Sequence, residues 1–190
     1  MKKLSIILST LVVLSSFTLL DNVWKNDDPH SQVKFTVTHL GVADVSGTFN
    51  DFDAKITSSK SDFSDGVFEF TAKVNSIDTR VEARNKHLKS ADFFDAEKFP
   101  ELSFKSTSLK KAGKNKFKLN GDLTLHGITK PVTLLLQYRG TVEHPQNKKS
   151  IAGFKVTGTI NRSDFNLGST FPDAMISNEV RIEADGEFAQ

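Results

Sequence analysis

Few side chains in this sequence are placed to do chemistry, and those few are polar groups in apolar company. The histidines, His30, His39, His87, His126 and His144, are scattered without the short His-x-x-x-His or carboxylate spacing that a metal site uses. With no cysteine in the chain, neither a thiolate metal site nor a disulfide framework can form. No G-x-S-x-G elbow presents a nucleophilic serine. Asp and Glu fall mostly on outward strand parity or in turns, a placement that suits solvation. No cofactor is called for by these residues. His39 is the ionisable group on an otherwise apolar row; it can meet a ligand head group, but Gly41 places it near a strand end, which favours a bond to a loop carbonyl. Arg84 and His87 lie about one helical turn apart and so share a face. That face either reads a polar head group or is simply solvated. His126, beside Gly127, reads as a turn residue, and Arg162, Asp164 and Phe165 as ties between an irregular loop and the body of the fold.

The elements that must position these groups are nearly all strands. Val33, Phe35, Val37 and His39 share one side of an alternating run that begins at Ser31. Val45, Gly47 and Phe49 resume the alternation, which changes phase to Phe52, Ala54 and Ile56, as a β-bulge at Asn50 and Asp51 would produce. Ser58 to Asp65 reads as a polar turn. Further apolar rows follow at Phe68 to Val74, Leu102 to Ser106, Phe117 to Leu125, Val132 to Tyr138, Phe154 to Ile160 and Val180 to Phe188. About eight such strands joined by turns predict an all-β fold, an up-and-down antiparallel barrel rather than an open sandwich.

The exception is Ser76 to Phe94, SIDTRVEARNKHLKSADFF. Val81, Arg84 and Leu88 fall at helical spacing, with Asp78 or Thr79 expected as N-cap and Glu82 near the capping-box position. Pro100 biases the chain back to extended form. A short charged helix followed by Phe93 and Phe94, set across the end of a barrel, predicts a lid.

At the N-terminus, Met1-Lys2-Lys3 precedes an apolar run to Leu20, the pattern of a secretory signal over residues 1–20, with the mature chain starting near Leu19 to Asn22 and a single domain over 21–190. A retained anchor is the alternative, opposed by a run shorter than the ~20 residues a span needs. With 25 basic and 23 acidic residues, the chain lacks the basic excess that nucleic acid demands. Sixteen phenylalanines stand beside one Trp and one Tyr; rings without a polar handle must lie in a core or against an apolar ligand. Gly47, Ala72, Ser106, Gly121, Gly158, Ala184 and Gly186 interrupt the large residues of the inward rows. They leave room for a cavity, or they relieve strand bending.

Several motifs in order carry a resemblance: VWKNDDPHSQVKFTVTHLGVADVSGTF, SIDTRVEARNKHLKSADFFD, FPELSFKST, GDLTLHGITKPV and NRSDFNL. Together they resemble the YceI-like family of exported lipid-binding proteins over essentially the whole mature chain. The resemblance implies an extended eight-stranded lipocalin-like barrel with a short inserted helix as lid, and an apolar tunnel for a polyisoprenoid or an isoprenoid quinone. It also implies a periplasmic or secreted location, no catalytic activity and often a homodimer; transient membrane contact is a separate expectation for its partners. On this reading Phe35, Val37, Phe70, Phe93, Phe104, Leu123, Phe154, Val156 and Met175 line the tunnel, with His39, Arg84 and His87 meeting a phosphate or quinone oxygen at its mouth. The family commonly has an acidic residue after the arginine of the helix motif; Asn85 stands there instead, which weakens any charge pair at that position. Two other readings stay open: a filled barrel acting as an accessory subunit of an envelope redox system, and an enzyme on isoprenoid or fatty amide substrates.

Overall fold

The computed structural model describes residues 22–190, so the signal segment expected over 1–20 lies outside the described residues. Ten strands form one antiparallel sheet: β1 (Asn22–His39), β2 (Ala43–Phe49), β3 (Phe52–Ser58), β4 (Val67–Lys73), β5 (Ile77–Asp78), β6 (Glu101–Gly113), β7 (Lys116–Leu125), β8 (Ile128–Glu143), β9 (Ser150–Asn161) and β10 (Glu179–Ala189). Each long strand pairs with its neighbour in sequence, and β10 pairs back onto β1, closing the sheet. Both β2 and β3 lie along β1, so they form one interrupted staff and the barrel has eight walls. Closure leaves no long free edge to template aggregation.

The interruption differs from the bulge expected at Asn50 and Asp51. Pairing stops at Phe49 and resumes with Lys55, and the extra residues sit on β1: eight steps from Lys25 to Val33 oppose six from Lys55 to Phe49. Against β10 the register of β1 also shifts between Asn26 and Ser31. Pro29, which has no N–H to give a ladder, sits in this bulge, where proline is tolerated. Asn26 Oδ1 accepts from the Ala54 amide at 2.7 Å and bridges part of the gap. Strand β1 therefore starts at Asn22 rather than Ser31, and buries Trp24.

One end of the barrel is closed by the β3–β4 loop. Phe63, only 1% exposed, turns inward from a left-handed backbone position (φ 56°). Its ring centroid lies 5.2 Å from Trp24, 5.2 Å from Tyr138 and 4.9 Å from Phe154, the edge-to-face distances aromatic quadrupoles prefer. The stretch expected to be a polar turn thus supplies the floor.

The other end carries the helix α1 (Glu82–Lys89). Its N-cap is Val81, with no side-chain cap, instead of Asp78 or Thr79. Those two residues are held by a helix side chain reaching back. Asn85 Oδ1 accepts from the Thr79 amide (2.8 Å) and hydroxyl (2.6 Å), and Asn85 Nδ2 donates to Asp78 Oδ1 (3.0 Å). A carboxylate at position 85 could accept the first two bonds but could not donate the third. After the helix, Phe93 and Phe94 fold under it and are buried.

Candidate functional site

Between floor and lid the inward rows enclose a cavity of about 510 Å³, within the range of roughly 300–1,000 Å³ usual for ligand pockets. Its walls come from every strand that alternates. Val33, Phe35 and Val37 line it from β1, Phe70 from β4, Phe104 from β6, Leu123 from β7, Leu134 from β8, Phe154 and Val156 from β9, and Ile182 from β10. Every site residue named from sequence lies on its lining: Phe35, Val37, His39, Phe70, Arg84, His87, Phe93, Phe104, Leu123, Phe154, Val156 and Met175. Two-residue periodicity is enough to bring the eight strand positions among them together once the sheet closes, while Arg84 and His87 reach the lining from the helix and Phe93 and Met175 from loops at the same end.

Polar groups gather at the lid end, and a second set, Asn26, Ser31, Gln32 and Asp185, borders the cavity beside the β1 bulge. Arg84 Nε donates to Thr79 Oγ1 (2.9 Å) and its Nη2 to the Thr79 carbonyl (2.7 Å). No carboxylate among the described residues lies within ion-pair distance of Arg84. Its guanidinium therefore borders an apolar cavity with its charge uncompensated and N–H groups to spare. His87 stands edge-on to Phe93 (5.1 Å) and Phe171 (5.7 Å), which stack on each other at 5.0 Å, and its Nε2 lies 3.1 Å from Asp92 Oδ2. These rings pack the helix against the loop before β10.

That loop is held by Arg162. Its buried guanidinium donates to the carbonyls of Leu167, Gly168, Phe171, Ile176 and Ser177 and to Asp173 Oδ1. Phe165 beside it is buried, and Asp164 is exposed. Thus Arg162 and Phe165 make the expected tie, while Asp164 has no side-chain hydrogen bond in it. His126, at φ 52°, is a turn residue as expected and has its Nδ1 3.1 Å from the Phe165 carbonyl oxygen. For His39 the expected bond from the ring to a loop carbonyl is not formed. The residue is fixed through its backbone instead, by a bridge to Ile176, and its ring borders the mouth.

One polar grouping escapes sequence spacing altogether. Asp27, His30 and Glu187 bring ligand-capable atoms within 4.8 Å of one another, because the β1 bulge faces β10. His30 Nδ1 lies 2.6 Å from Asp27 Oδ2; this hydrogen bond, with the charges of Asp27 and Glu187, raises the imidazole above its usual range. The cluster is on the outer surface and pins the bulge.

Comparison with known proteins places this architecture. The YceI-like domain matches residues 24–188. Protein YceI of Salmonella arizonae and Protein YceI of Salmonella enteritidis are each 40% identical over 157 residues, covering 83% of this chain and 81% of theirs. Among solved structures, Campylobacter jejuni YCEI superposes with a TM-score of 0.71 at 27% identity, covering 80% of this chain and 89% of that one. Burkholderia cenocepacia BcnA gives 0.77 at 24% identity, covering 85% and 98%. A polyisoprenoid binding domain from Saccharophagus degradans shares the fold at 0.65 and 13% identity, covering 88% and 97%. A closed eight-walled antiparallel barrel with one short helix across its mouth, matched in sequence over nearly its whole described length, makes this chain a member of the YceI-like family.

Proposed function

We propose that this protein holds a long apolar isoprenoid lipid, a polyisoprenoid or an isoprenoid quinone, in the barrel cavity, for transport or storage in the periplasm or outside the cell. The observation that carries the reading is the cavity itself: aromatic and branched walls along its length, with polar groups at the lidded mouth and beside the β1 bulge. Apolar area removed from water drives such binding at about 25 cal/mol per Å². Arg84, lacking a counter-charge, offers N–H groups to a head-group oxygen, and His87 and His39 border the same opening. The name of the Saccharophagus degradans neighbour supports the lipid class, and the apolar N-terminal run supports export. The role is read as binding rather than catalysis, since Arg84 at the mouth offers N–H donors suited to a head-group oxygen and is not a nucleophile with its base. A filled accessory barrel would need the axial space occupied by side chains, and here it is open.

Native mass spectrometry of protein purified from its own envelope tests this, and reads the oligomeric state in the same spectrum. A retained hydrophobic mass, extractable and identifiable as an isoprenoid, is the expected result. Phe70→Glu and Phe104→Glu place an unpaired carboxylate against the cavity and should abolish retention or unfold the barrel. A protein that is empty when isolated gently, or folded Phe70→Glu protein carrying undiminished lipid, overturns the proposal.

A further inference from the structure

Charge is unevenly placed on this nearly neutral chain. Between Lys105 and Lys118 the sequence has lysines at 105, 110, 111, 114, 116 and 118 and no acidic residue. These positions form the β6–β7 hairpin, whose tip lies at the floor end of the barrel, and all are exposed. Lys105 is neutralised by Glu69 at 3.0 Å. The other five have no carboxylate within ion-pair distance among the described residues. Lys110 and Lys118 stand directly opposite each other across the ladder, where like charges destabilise a sheet. The fold keeps this repulsion uncompensated, and an anionic surface laid against the hairpin would relieve it.

Neighbouring features select the kind of surface. Leu135 of β8, 41% exposed, pairs with Lys118. The adjoining β8–β9 hairpin adds exposed Lys149 and the 66% exposed Val142, its Lys148 being paired with Glu143 at 3.1 Å. Ammonium groups interleaved with exposed aliphatic side chains match a bilayer boundary, with phosphates for the lysines and the acyl edge for Val142 and Leu135. A polyanion such as nucleic acid would use the lysines and leave the aliphatic groups in water.

We propose that the floor end of the barrel, through the β6–β7 hairpin, docks on the surface of an anionic lipid bilayer, leaving the lidded mouth turned away from it. This does not depend on what the cavity carries. The test is co-sedimentation of the full chain with phosphatidylglycerol–phosphatidylcholine vesicles and with phosphatidylcholine vesicles alone, for the parent and for Lys110→Gln/Lys114→Gln/Lys116→Gln/Lys118→Gln. A lysine near such a surface is worth about fivefold in partitioning, so the variant should lose roughly 100-fold or more on anionic vesicles. Parent binding should fall as salt rises, and lipid retained in the cavity should be unchanged. If the fourfold variant does not fold, Lys114→Glu at the turn supplies the same comparison. Equal partitioning of parent and variant, equal binding of the parent to neutral vesicles, or binding to a nucleic-acid polyanion without binding to vesicles would each overturn the proposal.

Discussion

Phe63 offers the sharpest check on how the barrel is closed. Truncating it to alanine removes a ring that is 1% exposed and has Trp24, Tyr138 and Phe154 around it at centroid distances of 5.2, 5.2 and 4.9 Å. A buried Phe→Ala change costs about 3–5 kcal/mol, transfer and cavity terms together. In a domain of this size each kcal/mol moves Tm by about 2–4 °C, so Phe63→Ala should melt about 6–20 °C lower. Thermal unfolding followed by circular dichroism on lipid-stripped protein isolates this effect, because a bound ligand would stabilise both forms by mass action. The backbone gives a second check. Phe63 sits at φ 56°, where alanine bears a strain of about 1–2 kcal/mol that glycine does not, against a glycine entropy cost of about 0.5–1 kcal/mol. Phe63→Gly should therefore be no less stable than Phe63→Ala, the reverse of their order in an ordinary strand. A drop under about 3 °C for Phe63→Ala, set against those principles, would refute the account of the floor.

Two further outcomes follow from local geometry. Asp65 is raised by burial, but donors from the Ser58 hydroxyl (2.5 Å), the Ser59 hydroxyl (2.5 Å) and the Ser59 amide (3.1 Å) outweigh this and hold it down at about 2. Because that lies below its unfolded value of about 3.9, its stabilisation is complete above about pH 4 and is lost as pH falls toward 2; the stability gap between parent and Asp65→Asn, measured by urea unfolding, should be flat at neutral pH and close across that window. Alanine at two inward glycines should behave oppositely: at Gly121 its Cβ would meet the Lys105 carbonyl oxygen at 2.5 Å and Phe104 at 2.4 Å, while at Gly158 the clash at 2.3 Å is with the end of the Leu134 side chain. Gly121→Ala should cost the larger share of stability in denaturant melts, and Gly158→Ala should keep the fold but retain less lipid as Leu134 swings inward; equal melting points for the two would contradict this.

Most of the wall was legible in the sequence because alternation is a property of single strands. Phe117 to Leu125 and Val180 to Phe188 read the same in one dimension as in the barrel. The same parity put the eight strand residues named for the cavity on the lining, whereas Arg84, His87, Phe93 and Met175 reach it from the helix and from loops at the lid end. What alternation cannot show is where parity breaks. Asp27 to His30 bulge out of β1, so Trp24 loses its phase relation to Val33 and the strand start is hidden. Phe63 lies in a run of serine, lysine and aspartate whose composition indicates a turn, and its inward direction is set by a left-handed backbone that no periodicity encodes. The helix start was misplaced for a related reason: Asp78 and Thr79 have the side chains of caps, but Asn85 engages them first. The Asp27, His30 and Glu187 cluster needs β10 laid beside the bulge, a contact of high sequence separation.

The inward glycines raise the deepest question, which is why an eight-walled barrel should be hollow at all. Such a barrel is just wide enough to be filled by its own side chains or to hold one slender ligand. Glycine is the first candidate cause, yet the space above these glycines is not empty. Phe35 faces Gly47 across the ladder and lays its Cζ 2.5 Å from where a Cβ would stand; Phe104 covers Gly121 at 2.4 Å, and Leu134 covers Gly158 at 2.3 Å. Each small residue lets a large neighbour lie back against the wall when it would otherwise point at the axis. Apolar bulk is thus displaced outward, and the axial space arises one step removed from the residues that permit it. The exposed inner faces of those side chains lack partner atoms on one side and forgo dispersion contacts. An apolar chain threaded along the axis restores them at every strand, which is why a flexible hydrocarbon, more than any compact polar molecule, fits what this fold leaves unfilled.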